Sequence, residues 1–331
     1  MKIFRGGPTG RTRGRRSGKN GIVVLLMSIK EHPPQSPGSS DQGLHVPVLL
    51  DATLELLKPA KGEKYLDLTA GYGGHAGRIL EKTENYKDAV LVDRDEFAIG
   101  KLQLFKQKGA RLLHADFANA AAQLVESGRK FDLVLVDLGV SSPQLDMGER
   151  GFSFTKNGPL DMRMDARQQV SAETLVNSAS RDELVRIITQ YGEEPLGFAR
   201  RIADGIVKAR PLHTTEELAA IVLNAHVGKW KKTHPATRTF QALRIAVNDE
   251  LRQIETLLPL IPKLLANGGR VGIISFHSLE DRLVKQYFSE QARAGYESEL
   301  EVLTKKPLGG DTYDVHNPRS RSSKLRVAVK K

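Results

Sequence analysis

Four aspartates recur along the first half of the chain at intervals of about one strand and one helix. Asp67, Asp93, Asp116 and Asp137 follow one another at spacings of 26, 23 and 21 residues. Each ends or closely follows a short apolar run of the kind that forms a buried parallel strand. Open α/β sheets bind their ligands at the carboxyl edge of the strands. The spacing therefore predicts that these carboxylates gather at one ligand-binding edge.

A glycine cluster separates the first predicted strand from its helix, with the sequence GYGGHAG at residues 71–77. Glycines let backbone N–H groups approach a ligand at a helix N-terminus, and this spacing suits either NAD or S-adenosylmethionine. Asp67 precedes the loop, where a carboxylate repels a pyrophosphate and attracts an ammonium or sulfonium. Asp116 and Phe117 offer an acceptor and an aromatic face for an adenine. These residues favour S-adenosylmethionine, and an NAD-dependent oxidoreductase on a Rossmann fold stays open as the alternative.

Alternating strands and helices must position these residues. Apolar runs predict strands at 64–69, 89–93, 110–116, 131–137, 271–275, 299–304 and 324–329. Helical periodicity follows the first three runs, and a long helix is predicted over 237–266. The alternation stops over 141–165, which are rich in glycine, proline, aspartate and methionine, and several amphipathic helices are predicted over 171–228. We therefore predict one α/β domain, formed by residues 44–142 and 236–331, with an all-helical insert at 143–235.

Composition narrows the functional classes. Apolar residues make up 40% and charged residues 27% of the 331-residue chain, as in soluble globular enzymes. No apolar run reaches the roughly 18 residues of a membrane span, so no membrane partner is expected. The absence of cysteine excludes disulfides, thiolate metal sites and cysteine nucleophiles. No histidine or carboxylate spacing is typical of a metal site, and we expect a cytoplasmic enzyme without a metal.

The net charge of +11 comes mainly from the N-terminal segment. Eight basic residues and no acidic residue lie within 1–30, so the remaining chain carries only +3. Residues 28–43 are rich in proline, serine and glycine, as linkers are. We expect residues 1–43 to be a disordered basic extension and linker, with Met27 as a candidate start and order beginning near Leu44.

Longer segments carry a more specific signal than the glycine loop. They are HVPVL at 45–49, GYGGH at 71–75, DLGVSSPQLD at 137–146, RGFSF at 150–154, GPLDMRMD at 158–165, HPATR at 234–238, SFHSLED at 275–281 and NPR at 317–319. In these segments the sequence closely resembles the bacterial 16S ribosomal RNA cytosine-N4 methyltransferases, the MraW family. The resemblance runs from residue 45 to the C-terminus and leaves residues 1–43 outside.

This resemblance implies a Rossmann-like class I S-adenosylmethionine-dependent methyltransferase whose helical insert recognises RNA. It implies methyl transfer to N4 of a cytosine in the decoding centre, near the P-site, of 16S ribosomal RNA within the 30S subunit. The cofactor residues carried over by position are Gly73, Gly74, His75, Asp93, Phe117, Asp137 and Gln144. The family often has a triplet such as GPF where this chain has ADF at 115–117. A homodimer and a non-enzymatic role in ribosome assembly stay open.

The N4 amine of cytosine is a weak nucleophile because its lone pair is delocalised into the ring. Many amino methyltransferases place Asp or Asn, two prolines and an aromatic residue after the fourth strand, whereas this chain has DLGV at 137–140. The candidate acceptors for the amine hydrogens are Asp137, Asp161 and Asp165. His277 is a candidate proton carrier or a structural histidine. His75 is expected to offer its backbone at a helix start, and the general base stays open.

Several residues outside the strand-end series are candidates for contacts with RNA. The basic ones are Arg163, Lys229, Lys231, Lys232, Arg319 and Arg321. Trp230 is either a stacking platform for a base or a surface anchor. Met162 and Met164 alternate with charged residues. This pattern indicates either a strand-like loop in which both methionines are buried or a pocket for the target base.

Overall fold

The computed structural model describes residues 47–229 and 233–331, so the expectations for residues 1–43, Trp230, Lys231 and Lys232 lie outside the described residues. Its strands are β1 Tyr65–Asp67, β2 Val90–Asp93, β3 Arg111–His114, β4 Phe131–Asp137, β5 Leu265–Ser275, β6 Leu300–Val302, β7 Leu308–Gly309 and β8 Lys324–Lys330. The helices up to the end of the first α/β series are α1 Leu50–Leu57, α2 Gly74–Thr83, α3 Glu96–Lys101, α4 Gln103–Gln107, α5 Phe117–Glu126 and α6 Ser142–Asp146.

The strands form one eight-stranded sheet in the order β3-β2-β1-β4-β5-β8-β6, with β7 paired to β8. The five strands from β3 to β5 are parallel, and β8 runs antiparallel between β5 and β6. From β1, the strands β2 and β3 are added on one side of the sheet and β4 and β5 on the other. The strand order therefore switches between β1 and β4, and such a switch point opens a ligand crevice at the carboxyl edge. This arrangement confirms the predicted Rossmann-like fold.

The strand cores are buried on both faces because helices cover the sheet on either side. The segments Val90–Val92 and Leu133–Val136 are fully buried. The first hydrophobic core combines these strands with apolar residues of α5 and of the elements after residue 250. Continuous apolar runs are typical of strands in such a two-sided environment, and they predicted the position of every strand except the short β7.

Helices between β4 and β5 build a second core. They are α7 Ala172–Ser178, α8 Arg181–Gly192, α9 Leu196–Ala209, α10 Thr215–Ala225 and α11 Ala236–Asn248. Ser171, Ser180 and Thr214 cap α7, α8 and α10 by accepting backbone N–H bonds. The second core extends beyond residue 235, because α11 contributes Phe240, Leu243 and Val247 to it.

The long helix predicted over 237–266 is broken in the structure. Asp249 has a left-handed φ of 51° and ends α11. Two shorter helices follow, α12 Glu250–Leu257 and α13 Ile261–Leu264, separated by a 3₁₀ turn that contains Pro259. Strand β5 begins at Leu265, earlier than the predicted residue 271. The remaining helices are α14 Ser278–Arg293 and α15 Gly310–Tyr313.

Within residues 47–229 and 233–331, no helix combines the length and the hydrophobicity needed to cross a membrane.

Candidate active site

Three of the four aspartates lie together at the carboxyl edge of the sheet. Asp67, Asp93 and Asp137 end β1, β2 and β4, which are neighbours in the sheet. Asp116 lies beyond β3 and caps α5: its two carboxylate oxygens accept hydrogen bonds from the backbone N–H and side-chain amide of Asn119, at 2.9 and 2.7 Å. Of the four predicted carboxylates, Asp67, Asp93 and Asp137 therefore lie at the ligand-binding edge, and Asp116 is a helix cap.

Asp93 holds the glycine loop against the sheet. Its Oδ2 accepts a hydrogen bond from the Gly71 N–H at 2.7 Å, and its Oδ1 accepts one from the Asp95 N–H at 2.8 Å. Each carboxylate oxygen can accept a second bond, and the side chain is only partly covered. Burial raises the pKa of Asp93 to about 6. The remaining lone pairs suit the hydroxyls of a ribose.

Glycines 73 and 74 are required by the packing of the loop itself. A Cβ on Gly73 would lie 2.5 Å from the ring of Phe105, and one on Gly74 would lie 2.6 Å from Pro47. Gly73 also has a left-handed φ of 83°, which favours glycine, and it is the N-cap of α2. The loop thus brings the start of α2, whose first backbone N–H groups have no partner within the helix, close to Asp93 and Asp137.

Asp67 and Asp137 form a neighbouring pair of carboxyl groups. Asp67 is 1% exposed and accepts hydrogen bonds from the Tyr65 hydroxyl at 2.7 Å and the Thr69 N–H at 3.1 Å. Burial raises the pKa of Asp67 to about 7, and burial together with the charges of Asp67 and Glu280 raises that of Asp137 well above its usual value. Oδ1 of Asp137 is buried and has no hydrogen-bond partner within the described chain. A cationic ligand would satisfy this pair, so the site fits the ammonium and sulfonium of S-adenosylmethionine.

His75 contributes its side chain as well as its backbone. The imidazole is buried, with Nε2 3.0 Å from the Val48 carbonyl oxygen and Nδ1 3.5 Å from Oδ2 of Asp137. Burial lowers the pKa of His75 to about 4, so the ring is neutral at pH 7. The backbone role predicted from sequence does not account for this contact with Asp137.

Gln144 reaches the site through Asp95. Its Nε2 donates to Oδ2 of Asp95 at 2.8 Å, and its Oε1 accepts from the Ser141 N–H at 3.0 Å in a capping box that starts α6. The same Oδ2 accepts a bond from Nη1 of Arg150 at 2.9 Å. Sequence reasoning missed Asp95 and Arg150, although Asp95 follows Asp93 by two positions and Arg150 begins the segment RGFSF.

Residues 160–165, called the methionine loop here, run beside this network. Met162 and Met164 are buried in the second core, as in the loop interpretation of the sequence. Asn248 fixes the loop: its Oδ1 accepts the Met164 N–H at 2.9 Å and its Nδ2 donates to the Met162 carbonyl at 2.8 Å. Met162 has a φ of 58°. Such backbone geometry is costly for a side chain of this size and persists only where the surroundings impose it.

The two aspartates of the methionine loop are each paired with an arginine. Asp161 accepts bonds from Nε and Nη2 of Arg163 at 2.6 and 3.0 Å. Asp165 accepts bonds from Nε and Nη2 of Arg167 at 2.8 and 2.7 Å. Arg163 also donates to the carbonyls of Ala166 and Gln168. The candidate acceptor Asp161 and the candidate RNA contact Arg163 therefore satisfy each other.

His277 lies at the start of α14, directly after β5. Its Nδ1 accepts the Glu280 N–H at 3.5 Å, and its Nε2 lies 3.3 Å from Oε1 of Glu280. Glu280 is buried and accepts the Phe276 N–H at 2.7 Å. These contacts match the structural alternative for His277, a helix cap. Ligand-type atoms of Glu250, His277 and Glu280 lie within 4.8 Å of one another, but Arg244 already binds both carboxylate oxygens of Glu250 at 2.8 and 2.9 Å.

The other candidates lie further out. Phe117 is the first residue of α5 and packs partly against the first core. Nη2 of Arg319 forms an ion pair with Oδ1 of Asp146 at 2.6 Å. Lys229 and Arg321 are exposed.

The model of the MraW methylase family matches residues 42–331. The chain belongs to the MraW methylase family. This confirms the resemblance and sets aside the NAD-dependent oxidoreductase. Similar curated relatives carry the name ribosomal RNA small subunit methyltransferase H. The relative from Nitratidesulfovibrio vulgaris is 45% identical over 89% of this chain and 89% of its own. Those from a Cyanothece species and Heliobacterium modesticaldum are 47% and 44% identical, over 86% of this chain and 94% and 98% of their own.

Proposed function

We propose that this chain transfers a methyl group from S-adenosylmethionine to N4 of a cytosine in 16S ribosomal RNA. Membership of a methylase family supports the reaction class, and the names of the relatives support ribosomal RNA of the small subunit as the substrate. The observation that carries the proposal is the unpartnered buried oxygen of Asp137 beside the glycine loop.

S-adenosylmethionine supplies an electrophilic methyl group on a positively charged sulfur. Asp93 would accept the ribose hydroxyls of this cofactor, and the glycine loop with Gly73, Gly74 and His75 would border it. Phe117 would hold the adenine, and the buried carboxyls of Asp67 and Asp137 would offset the positive charge. Gln144 acts through Asp95, because its amide is bonded to that carboxylate.

Asp137 is the best placed acceptor for the amine hydrogens. Both oxygens of Asp161 and of Asp165 already bind an arginine, whereas Oδ1 of Asp137 is unpartnered. A carboxylate that accepts an N4 hydrogen localises the amine lone pair and takes the proton when the N–C bond forms. Holding amine, methyl carbon and sulfur in line supplies much of the remaining acceleration.

The 30S subunit in the cytoplasm is the proposed partner, with the target cytosine near the P-site. Residues 143–235, including exposed Lys229, are proposed to recognise RNA. Chemistry on a ring amine requires an unstacked base, and RNA recognition of this kind reads splayed bases in a folded context. Because residues 31–331 carry a net charge of only +3, general electrostatic attraction adds little. Assembled 30S particles should therefore be better substrates than naked RNA.

The test measures transfer of labelled methyl to 30S particles that lack the modification, to naked 16S RNA and to a short hairpin. We expect efficient transfer to 30S particles only, and mass mapping should place the label on N4 of one cytosine. Asp137→Asn should abolish transfer while binding to 30S persists. Binding of the wild-type chain without any transfer would identify a non-enzymatic assembly factor, and equal turnover on the hairpin would refute the requirement for the subunit.

A further inference from the structure

We infer that His75 is a positioning residue for Asp137, whose carboxyl group it orients by contact with Oδ2. The inference rests on the proposed function. Its basis is the short line of contacts from the Val48 carbonyl through the imidazole to the carboxyl group of Asp137.

The Val48 carbonyl fixes the tautomer of the ring. A carbonyl oxygen only accepts, so the Nε2 atom, 3.0 Å away, must carry a hydrogen. In a neutral imidazole, Nδ1 then carries a lone pair, and it faces Oδ2 of Asp137 at 3.5 Å. The lone pair of Nδ1 and the ionised Oδ2 of Asp137 are both acceptors, so they repel each other unless a proton lies between them. The contact is therefore unfavourable with an ionised Asp137, whereas a protonated Asp137 can donate its hydrogen to Nδ1.

Methyl transfer supplies that proton. The N4–C bond forms as the C–S bond breaks, and the positive charge passes from sulfur to N4. The N4–H bond then breaks and the proton moves to Asp137, which becomes a neutral carboxylic acid. This acid donates its hydrogen to Nδ1 of His75, so the pair holds the proton until it is released to water with the product.

The other titratable groups that face Asp137 cannot take this role. Asp67 and Tyr65 approach from β1 and Glu280 approaches from α14, and all three are acids. The Tyr65 hydroxyl already donates to Asp67. Negative charges at Asp67 and Glu280 favour a proton on Asp137 without fixing its orientation. Among these groups only His75 offers a basic nitrogen within 4 Å.

The segment at the start of the described chain keeps the imidazole in place. Pro47 packs against Gly74, directly before His75. The Leu49 N–H donates to Oδ2 of Asp314 at 2.9 Å, and Leu49 has a left-handed φ of 55°. These contacts aim the Val48 carbonyl at Nε2. They give residues 47–49 a role that the glycine-loop motif does not explain.

The first test replaces His75 by Gln, whose amide keeps an N–H for Val48 but does not titrate. We expect kcat on 30S particles to fall by about 100-fold, the lower end of the range for a group that assists proton transfer. The KM for 30S should stay close to the wild-type value, and the pH dependence of kcat should shift. His114→Gln is the control, since that imidazole also bonds a backbone carbonyl, that of Arg94. An unchanged kcat and pH profile in His75→Gln would overturn the inference.

The second test needs neither turnover nor an altered His75. In protein with ¹⁵N-labelled histidine, the wild-type His75 signal should show a protonated Nε2 and an unprotonated Nδ1. Asp137→Asn should shift the Nδ1 resonance, because the amide N–H can donate to it. A protonated Nδ1, or no response to Asp137→Asn, would overturn the inference even if His75→Gln failed to fold. Absence of methyl transfer by the wild-type chain would instead contradict the proposed function and leave these spectra interpretable.

Discussion

Arg150 and Asp95 form a buried ion pair that joins the cofactor edge of the sheet to the methionine loop. Their side chains are 11% and 3% exposed, and Nη1 lies 2.9 Å from Oδ2. Asp95 caps α3 directly after β2. The second terminal nitrogen of Arg150 donates to the carbonyl of Arg163 in the methionine loop at 3.1 Å. The guanidinium of Arg150 thus holds the methionine loop against Asp95, close to the cofactor residue Asp93.

Replacing Arg150 by Met should destabilise the protein by about 3–5 kcal/mol, because a buried carboxylate loses its cation. Urea denaturation measures the effect. Arg181→Met is the control, since its ion pair with Asp204 lies on the surface, and we expect no measurable change there. Wild-type stability in Arg150→Met would show that Asp95 does not depend on this partner.

Asp93→Ala should weaken binding of S-adenosylmethionine by about 1.5–3 kcal/mol, the scale of hydrogen bonds to a charged group. Titration calorimetry measures the affinity. The control is Asp88→Ala, which removes a carboxylate near the opposite end of the same strand. Equal affinity in Asp93→Ala and the wild type would remove Asp93 from the cofactor site.

Binding of S-adenosylmethionine should tighten between about pH 6 and pH 8 and should release protons. The pKa of Asp67 is raised to about 7 and that of Asp93 to about 6 by burial, and a cationic ligand favours their ionised forms. The free energy of unfolding of the ligand-free protein should change in the opposite direction. Asp67 and Asp93 stabilise the fold below pH 4, where both are protonated, and this contribution is lost as the pH rises through 6 and 7. Calorimetry in buffers of different ionisation enthalpy counts the protons. Asp67→Asn should reduce the release, and a pH-independent affinity would contradict this account.

Replacing Lys229, Lys231 and Lys232 by Ala should weaken binding to 30S particles. Each lost phosphate contact should flatten the plot of log K against log salt by about 0.7–0.9. Affinity for S-adenosylmethionine should stay constant. The same triple change at Lys82, Lys101 and Lys106, which are exposed on other helices, is the control. Loss of cofactor binding with intact RNA binding would reverse the proposed division of labour.

The sheet and its aspartates were predictable because their signal is local. A buried parallel strand needs a continuous apolar run, and the residue after that run reaches the ligand edge. The break at Asp249 was not predictable, because the helical periodicity continues across it and only the left-handed backbone interrupts the helix.

The partners of the site residues depend on contacts between distant segments. Nothing near Arg150 in the sequence indicates a bond to Asp95, and nothing near Asp161 shows that its carboxylate binds Arg163 rather than a base. The His75 side chain was underestimated for the same reason, since its partners Val48 and Asp137 come from opposite sides of the glycine loop in the chain.

The position of the second core in the chain has a consequence for the order of folding. Its residues lie between Val140 and Val247, so its contacts can form within one continuous segment. Strands β4 and β5 pair with each other although this whole segment separates them. Closing so long a loop costs less once the segment has folded and brought its ends together. In pulsed hydrogen exchange, amides of α8 and α9 should therefore become protected before those of β4 and β5, and the crevice around Asp137 should form last.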